Sequence, residues 1–445
     1  MNLTEEISYK RIWSIAWPVI LGSIAQNIIN VVDTAFLARV SETALGAAAI
    51  GGLFYLTLAM IGFGLSLGAQ IIMSRRFGER NYSEIGQIFR HTVLLGFAFS
   101  ALAIGAYFAF GQTFMSSLLH SPNVVDGTGE FLRYRMWGLF FAFINYIYTA
   151  FYVSIARTRY ITRATIVTAV VTVVLDYLLI FGHFGFPKMG IAGAAIASVI
   201  AELSATAYYV YISVSPVNIA RYKLWITDKL SLIEAWNVLK ISGPLMLQNM
   251  ISFTSWFIFF ILIERMGERA LAVSNVARSL YMILLLPTWG FAQAASSMVS
   301  YVIGRGEPQH VMPVVHKISR LTLLAILPMV LLAGLFHNAV LAFYTNDLSL
   351  MHDCVVVLPV IFSAALLLGP SLIFFSSVSG TGNTHITFRN EIVVISCYLL
   401  FTFIVVRVPS VTTPVVWIAE FVYAGVMGLM SYLYLRYGKW IDKKL

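Results

Sequence analysis

Charge is what this chain has least of. Of its 445 residues, 11% are Asp, Glu, Lys or Arg and 59% are hydrophobic. A soluble domain carries about 25% charged residues, so most of this surface must face lipid rather than water. Cysteine is nearly absent. Cys354 and Cys397, the two present, lie far apart and supply neither a disulfide framework nor thiolate metal-ligand spacing. The eight histidines show no metal-binding pattern. No interfacial loop carries the acid and histidine constellation of an integral-membrane transferase, so no enzyme and no cofactor are expected. No soluble domain or low-complexity segment interrupts the chain. No small-residue cleavage site follows the opening MNLTEEISYKR, which reads as a cytoplasmic tail before an uncleaved first span.

What is present is a series of apolar runs. Crossing about 30 Å of hydrocarbon takes roughly 20 apolar residues. Runs bounded by charge or turn clusters predict an all-α integral membrane protein with twelve spans. They fall near 12–38, 46–74, 91–116, 132–156, 162–182, 190–214, 238–263, 273–303, 318–342, 354–378, 391–408 and 414–436. The net charge of +9 then has a simple source in the basic residues flanking spans, and no nucleic-acid partner is expected. With the N-terminus inside, eight of the 29 Lys and Arg residues fall outside: Arg39, Arg133, Arg135, Lys188, Arg265, Arg269, Arg278 and Arg407. The other 21 fall inside, which predicts a multi-pass protein of the cell inner membrane with both termini cytoplasmic. Nothing in the sequence demands more than a monomer in the bilayer.

The chain repeats itself. A shift of 226 residues, without a gap, sets Ile15, Pro18 and Leu21 on Ile241, Pro244 and Leu247. The same shift sets Arg39 and Glu42 on Arg265 and Glu268, and Gly64, Ala69, Ser74 and Gly78 on Gly290, Ala295, Ser300 and Gly304. Six spans per half is an even number, so the halves are parallel repeats. The predicted organisation is two pseudo-symmetric six-helix bundles, 1–214 and 238–445, joined by a cytoplasmic linker, 215–237. A duplicated bundle able to rock about a central cleft suits a transporter.

Ionisable groups inside a membrane are costly and mark function. Asp33 and Asp176 stand out in the predicted span interiors, with Glu202 and Glu420 as further candidates. Gln26, Asn30 and Asp33 share one helix face at i, i+4 and i+7, extended by Gly22. Gln26 and Asn30 are candidates for substrate binding, and packing between helices is the competing reading. Thr172 precedes Asp176 by one turn. At 1.5 Å per residue, Asp176 stands about 20 Å above Arg163, Ser198 about 12 Å below Gly190 and Asn145 about 15 Å below Arg135. These depths coincide in the outer half. Two carboxylates among hydroxyl and amide oxygens could carry a proton or hold a hard cation such as sodium. The 226-residue shift puts Phe259 where Asp33 stands, and a shift of 223, which sets Phe151, Ser154 and Thr158 on Phe374, Ser377 and Thr381, puts Leu399 where Asp176 stands; the coupling chemistry is therefore expected in the first half alone. Glu202, four residues after Ser198, is either a further site residue or a packing contact. Glu420 is expected in a hydrated position near the outer end of the last span. Glu264, Arg265, Glu268 and Arg269 read as an outer-surface charge cluster.

Four segments carry a resemblance: WPVILGSIAQNIINVVDTAFLARVSETALGAAAI, GAQIIMSRRFGERN, LDYLLIFGHFGFPKMGIAGAAIAS and SGTGNT. With the duplicated twelve-span layout, they make the chain resemble the multidrug and toxic compound extrusion (MATE) family along its length. Acids in the first half, with none in the inner core of the seventh and tenth spans, look like its DinF-like branch. The resemblance implies alternating-access export of an amphipathic, often cationic small-molecule substrate, driven by inward flow of protons or sodium ions. It also implies cation-site roles for Asp33, Asn145, Thr172, Asp176 and Ser198, a bend in the first span at Pro18, and, where sodium is the coupling ion, a sodium ion at Asp33 and Asp176. Thr172 and Ser198 depart from the asparagine and threonine common in the family. The alternative within the same superfamily is a flippase of lipids or lipid-linked oligosaccharides. It would line its cavity with cationic residues, and no intramembrane Arg or Lys cluster is visible.

Overall fold

The computed structural model describes residues 8–118, 122–215, 220–225, 231–344 and 347–441, with all their side chains except those of Glu42 and Gln112. Residues 1–7, His120 and parts of the expected linker (216–219, 226–230) lie outside this set. The described residues contain helices and no strand. In chain order the α-helices are α1 (Tyr9–Ala38), α2 (Glu42–Gly78), α3 (Tyr82–Ala106), α4 (Gln112–Leu118), α5 (Pro122–Arg135), α6 (Gly138–Ser154), α7 (Arg159–Phe181) and α8 (Gly190–Ser213). The second half holds α9 (Leu232–Glu264), α10 (Glu268–Gly304), α11 (Val311–Leu335), α12 (His337–Ala342), α13 (Leu348–Gly380), α14 (Thr384–Val406), α15 (Thr413–Trp417) and α16 (Ala419–Tyr437).

Among the described residues, eleven spans are long and apolar enough to cross a membrane, and a twelfth is formed if the bent pair α5–α6 counts as one. The predicted fourth span began at residue 132. The chain instead turns by 53° between Arg135 and Gly138. Two short segments thus replace one straight helix, and the break brings Arg135 into the protein interior. All-helical construction follows from the solvent, because every backbone N–H and C=O in lipid must be satisfied within its own segment.

The duplication is visible in the helix bounds. α2 and α10 each have 37 residues, and both ends are related by the 226-residue shift. α3 and α11 each have 25 residues. α7 and α14 each have 23.

The chain divides into two compact units, Leu21–Met246 and Met1–Ile20 together with Leu247–Leu445. The cuts therefore fall inside α1 and α9 rather than in the linker, each two residues after a helix-internal proline, Pro18 or Pro244. Glycines explain the assignment. A Cβ added at Gly64 of α2 would come within 2.5 Å of the Met246 Cα, and one at Gly68 within 2.1 Å of the Ser242 Oγ. That hydroxyl donates to the Leu65 carbonyl at 3.0 Å. The first half of α9 thus lies backbone-on-backbone against α2, as small residues permit between membrane helices. In the other unit, Gly290 of α10 meets Ile20 and the Ala16 carbonyl of α1 in the same way. Trp13 packs on Phe291 there, with ring centroids 5.8 Å apart. Gly64 with Met246 and Gly290 with Ile20 are one contact made twice, related by the repeat.

Candidate functional site

Within the unit Leu21–Met246, α1 and α7 run side by side in the same direction. Their close approach is marked at Gly22, where a Cβ would lie 3.3 Å from the Thr165 Oγ1. Eleven residues further along each helix stand Asp33 and Asp176, at one level about 16 Å from that contact. Phe36 and Phe181 pack edge-on beyond them, with centroids 5.5 Å apart. The register of two parallel helices, set by one small residue, brings the carboxyls face to face.

Asp176 is fully buried. Neither of its carboxyl oxygens, nor Oδ1 of Asp33, receives a hydrogen bond from a protein donor. The matched register on the two helices turns each carboxyl towards the other. Two acceptors make a hydrogen bond only when one carries a proton, and two like charges in an apolar place need a cation between or beside them.

The other predicted residues fall into two groups. Thr172 is buried one turn before Asp176. The approach of Gly193 to the Leu179 carbonyl fixes α8 against α7. From that point Asp176 lies three residues down α7 and Ser198 five residues down α8, a difference in level of about 3 Å. Asn145, by contrast, is committed to α8. Its Nδ2 donates to the Glu202 carbonyl at 2.9 Å, and its Oδ1 lies 2.9 Å from the Thr206 hydroxyl. Glu202 is held by Arg135 in a two-pronged ion pair of 2.6 and 2.9 Å, and by the Tyr55 hydroxyl at 3.1 Å. The guanidinium stacks 3.6 Å over the Tyr55 ring. Gln26 and Asn30 are exposed, with a 3.5 Å contact between them. Pro18 lies inside α1 and belongs to the other unit.

That other unit corrects an expectation. Glu420 is not hydrated. It is 3% exposed and accepts hydrogen bonds from Tyr281 and Tyr398, both at 3.0 Å. Glu391 was missed because its span was expected to begin at it. α14 begins at Thr384, so Glu391 sits two turns inside and is 1% exposed. The Ser252 hydroxyl and the Tyr423 hydroxyl lie 2.5 and 3.0 Å from its Oε1. The TGN turn at 381–383, a helix start, was the signal that could have revealed its depth. The outer-surface cluster forms with different partners from those expected. Arg269 pairs with Asp353 at 2.7 Å and Asp347 at 3.3 Å, all exposed. Among the described residues, no three His, Cys, Asp or Glu side chains are grouped to hold a metal ion.

A duplicated helical membrane protein with unsatisfied carboxyls packed inside one half has the build of a transporter. A family model described as MatE matches residues 18–178 and 244–407, and the chain belongs to that family. It is 26% identical over 294 residues to a probable multidrug resistance protein NorM of Agrobacterium fabrum, which spans 65% of this chain and 62% of that protein. A NorM of Thermotoga maritima is 22% identical over 84% of this chain and 80% of its own length. In fold, the chain is similar to the outward-facing conformation of a multidrug resistance MATE family transporter of the MOP superfamily. The TM-score is 0.89 at 18% identity, with 98% of this chain and 97% of that one covered.

Proposed function

We propose that the protein is a secondary active antiporter that exports amphipathic, cationic compounds by alternating access, in exchange for protons or sodium ions entering the cell. The observation that carries this reading is the facing pair of a half-buried Asp33 and a fully buried Asp176, with Oδ1 of the first and both carboxyl oxygens of the second lacking a protein donor. Such a pair is stable only with a small cation present, so its occupancy can be tied to the state of the bundle. Thr172 and Ser198 supply hydroxyl oxygens at the same level. Asn145 holds α8 in place and acts through position. Glu202, already neutralised by Arg135, is structural in this reading, and Gln26 and Asn30 offer exposed amides on the Asp33 face to substrate. Pro18, which removes one α1 hydrogen bond, is where α1 bends as the site opens and closes. The protein resides in the inner membrane with both termini cytoplasmic and works as a monomer, its 1–214 and 238–445 halves joined through the 215–237 linker.

The NorM relatives are named as probable multidrug resistance proteins, and that supports efflux as the direction and drugs as the substrate class. The test is export of a cationic dye from vesicles under an imposed proton gradient, then under a sodium gradient. The wild type should export under at least one of them. Asp33→Asn and Asp176→Asn should each reduce export to background while inserting normally. Export at the wild-type rate by both variants would sink the assignment.

A further inference from the structure

The second unit holds a carboxyl whose hydrogen-bond geometry does not add up if it is ionised. The Ser252 Oγ lies 2.9 Å from the Gln248 carbonyl oxygen and 2.5 Å from the Glu391 Oε1. The Tyr423 hydroxyl lies 3.0 Å from the same Oε1. Serine and tyrosine bring one proton each, and a backbone carbonyl brings none. With an ionised Glu391 the single serine proton must be split between two acceptors. A protonated Glu391 that donates to the Ser252 Oγ leaves the serine proton for the Gln248 carbonyl and satisfies all three contacts. The remaining carboxyl oxygen, Oε2, is buried without a protein donor. So is the amide oxygen of Gln248, one turn before Ser252 on the same face of α9. An ionised carboxylate would leave a bare, uncompensated charge in an apolar interior; a carboxylic acid leaves none.

No cation offsets it. On the elements packed against α14, the titratable groups of α9 nearest Ser252 are Lys240 and Glu264, each twelve residues or about 18 Å away along the helix. Those of α13 are His352, Asp353 and Cys354 at its first turns, with Asp353 taken by Arg269. Those of α16 are Glu420, Tyr423, Tyr432, Tyr434, Arg436 and Tyr437, and α14 itself carries His385, Arg389, Cys397 and Tyr398. Of all these, Tyr423 alone bonds to Glu391. The arrangement is crossed. Tyr423 on α16 reaches Glu391 on α14, while Tyr398 on α14 reaches Glu420 on α16. The two rings pack 5.5 Å apart.

We propose that Glu391 is a proton-binding site of the second unit, separate from Asp33 and Asp176, with Ser252 and Tyr423 as the groups that hold its acid form. The crossed tyrosines tie its protonation to the neighbouring Glu420. The protein then has titratable carboxyls in both units, and more than one proton can be bound per molecule.

The test reads protonation rather than export, so failure of the antiport reading leaves it standing and its own failure leaves that reading untouched. The sample is full-length protein in lipid nanodiscs carrying Asp33→Asn and Asp176→Asn, followed by infrared difference spectroscopy across a pH titration. A carboxylic-acid carbonyl band that titrates should be present. It should be lost in Glu391→Gln, retained in Glu420→Gln, and shifted in frequency by Tyr423→Phe and by Ser252→Ala. A spectrum that Glu391→Gln leaves unchanged overturns the proposal. If Glu391→Gln does not fold, a band unmoved by both Tyr423→Phe and Ser252→Ala overturns it equally.

Discussion

The two units of this protein share a scaffold and differ in what they bury. Their second helices have the same length, and the same glycine meets the same part of a proline-containing helix in each. At the level of Asp33, however, the repeat places Phe259, which is fully buried and packed on Tyr398 and Trp417 at 5.3 and 5.6 Å. One unit keeps a hollow in its hydrogen bonding, with two carboxyls unsatisfied by the protein. The other fills the equivalent place with aromatic rings and moves its acids to α14 and α16, where tyrosines meet them. The packing surfaces between helices constrain the duplicated sequence tightly, and the interior chemistry is free to diverge.

That contrast can be broken most forcefully by making the first unit resemble the second. Asp33→Phe combined with Asp176→Leu should reduce export to background and leave the melting temperature in detergent equal or higher, since two costly buried carboxyls are replaced by apolar groups. A melting temperature lowered by several degrees would show that the pair stabilises the fold. The ion pair peculiar to the first unit offers the next effect. Arg135→Met strands the Glu202 carboxylate and should destabilise by about 3–5 kcal/mol, while Arg135→Met with Glu202→Met should recover most of that loss. No recovery in the double variant, measured by denaturant or thermal unfolding, would refute the pairing argument.

A smaller effect tests what the units share. Gly64→Val and Gly290→Val should each cost about 1–3 kcal/mol through overpacking, the first more than the second, because a Cβ at Gly64 meets the Met246 backbone and one at Gly290 meets first the Ile20 side chain. A substitution at either position that costs nothing would show that no close approach is made there. The smallest effect belongs to the N-cap of α13 in the second unit. The backbone N–H groups of Ser349 and Leu350, and then Arg269, hold the Asp347 carboxyl below its usual value. Its contribution is present above the carboxylate range and fades as pH falls through its lowered folded value. Asp347→Asn should therefore lower the melting temperature slightly at neutral pH and not at all in strong acid. A deficit that persists unchanged into strong acid would rule out the charge as its cause.

Much of the architecture was legible because lipid imposes simple rules. Apolar runs gave the spans, and the repeated glycines and prolines gave the duplication in register. Asp33 and Asp176 stood out because acids are rare and expensive inside a membrane. The equal spacing of both from the Gly22–Thr165 approach, which sets them face to face, depends on packing between helices remote in sequence and was not visible. Depth was the other weak point. Arg135 looked like an outer-end charge until the break after α5 turned it inward towards Glu202. Glu391 looked like an edge residue because its helix start was placed seven residues late, and Glu420 because it lies near the outer end of its span. Their burial depends on tyrosines that reach across from a neighbouring helix, which no local pattern announces.

The prolines at 18 and 244 divide α1 and α9 between different units, and this has a consequence for biosynthesis. Residues 21–214 are synthesised before their last packing partner, the stretch ending at Met246, has left the ribosome. The opening turns of α1, made first of all, find their partner only when α10 is inserted. Expressing the protein as two pieces cut at residues 215–237 would deprive each piece of half a helix that its own interior needs. Maturation must therefore wait until synthesis has passed well beyond the midpoint of the chain.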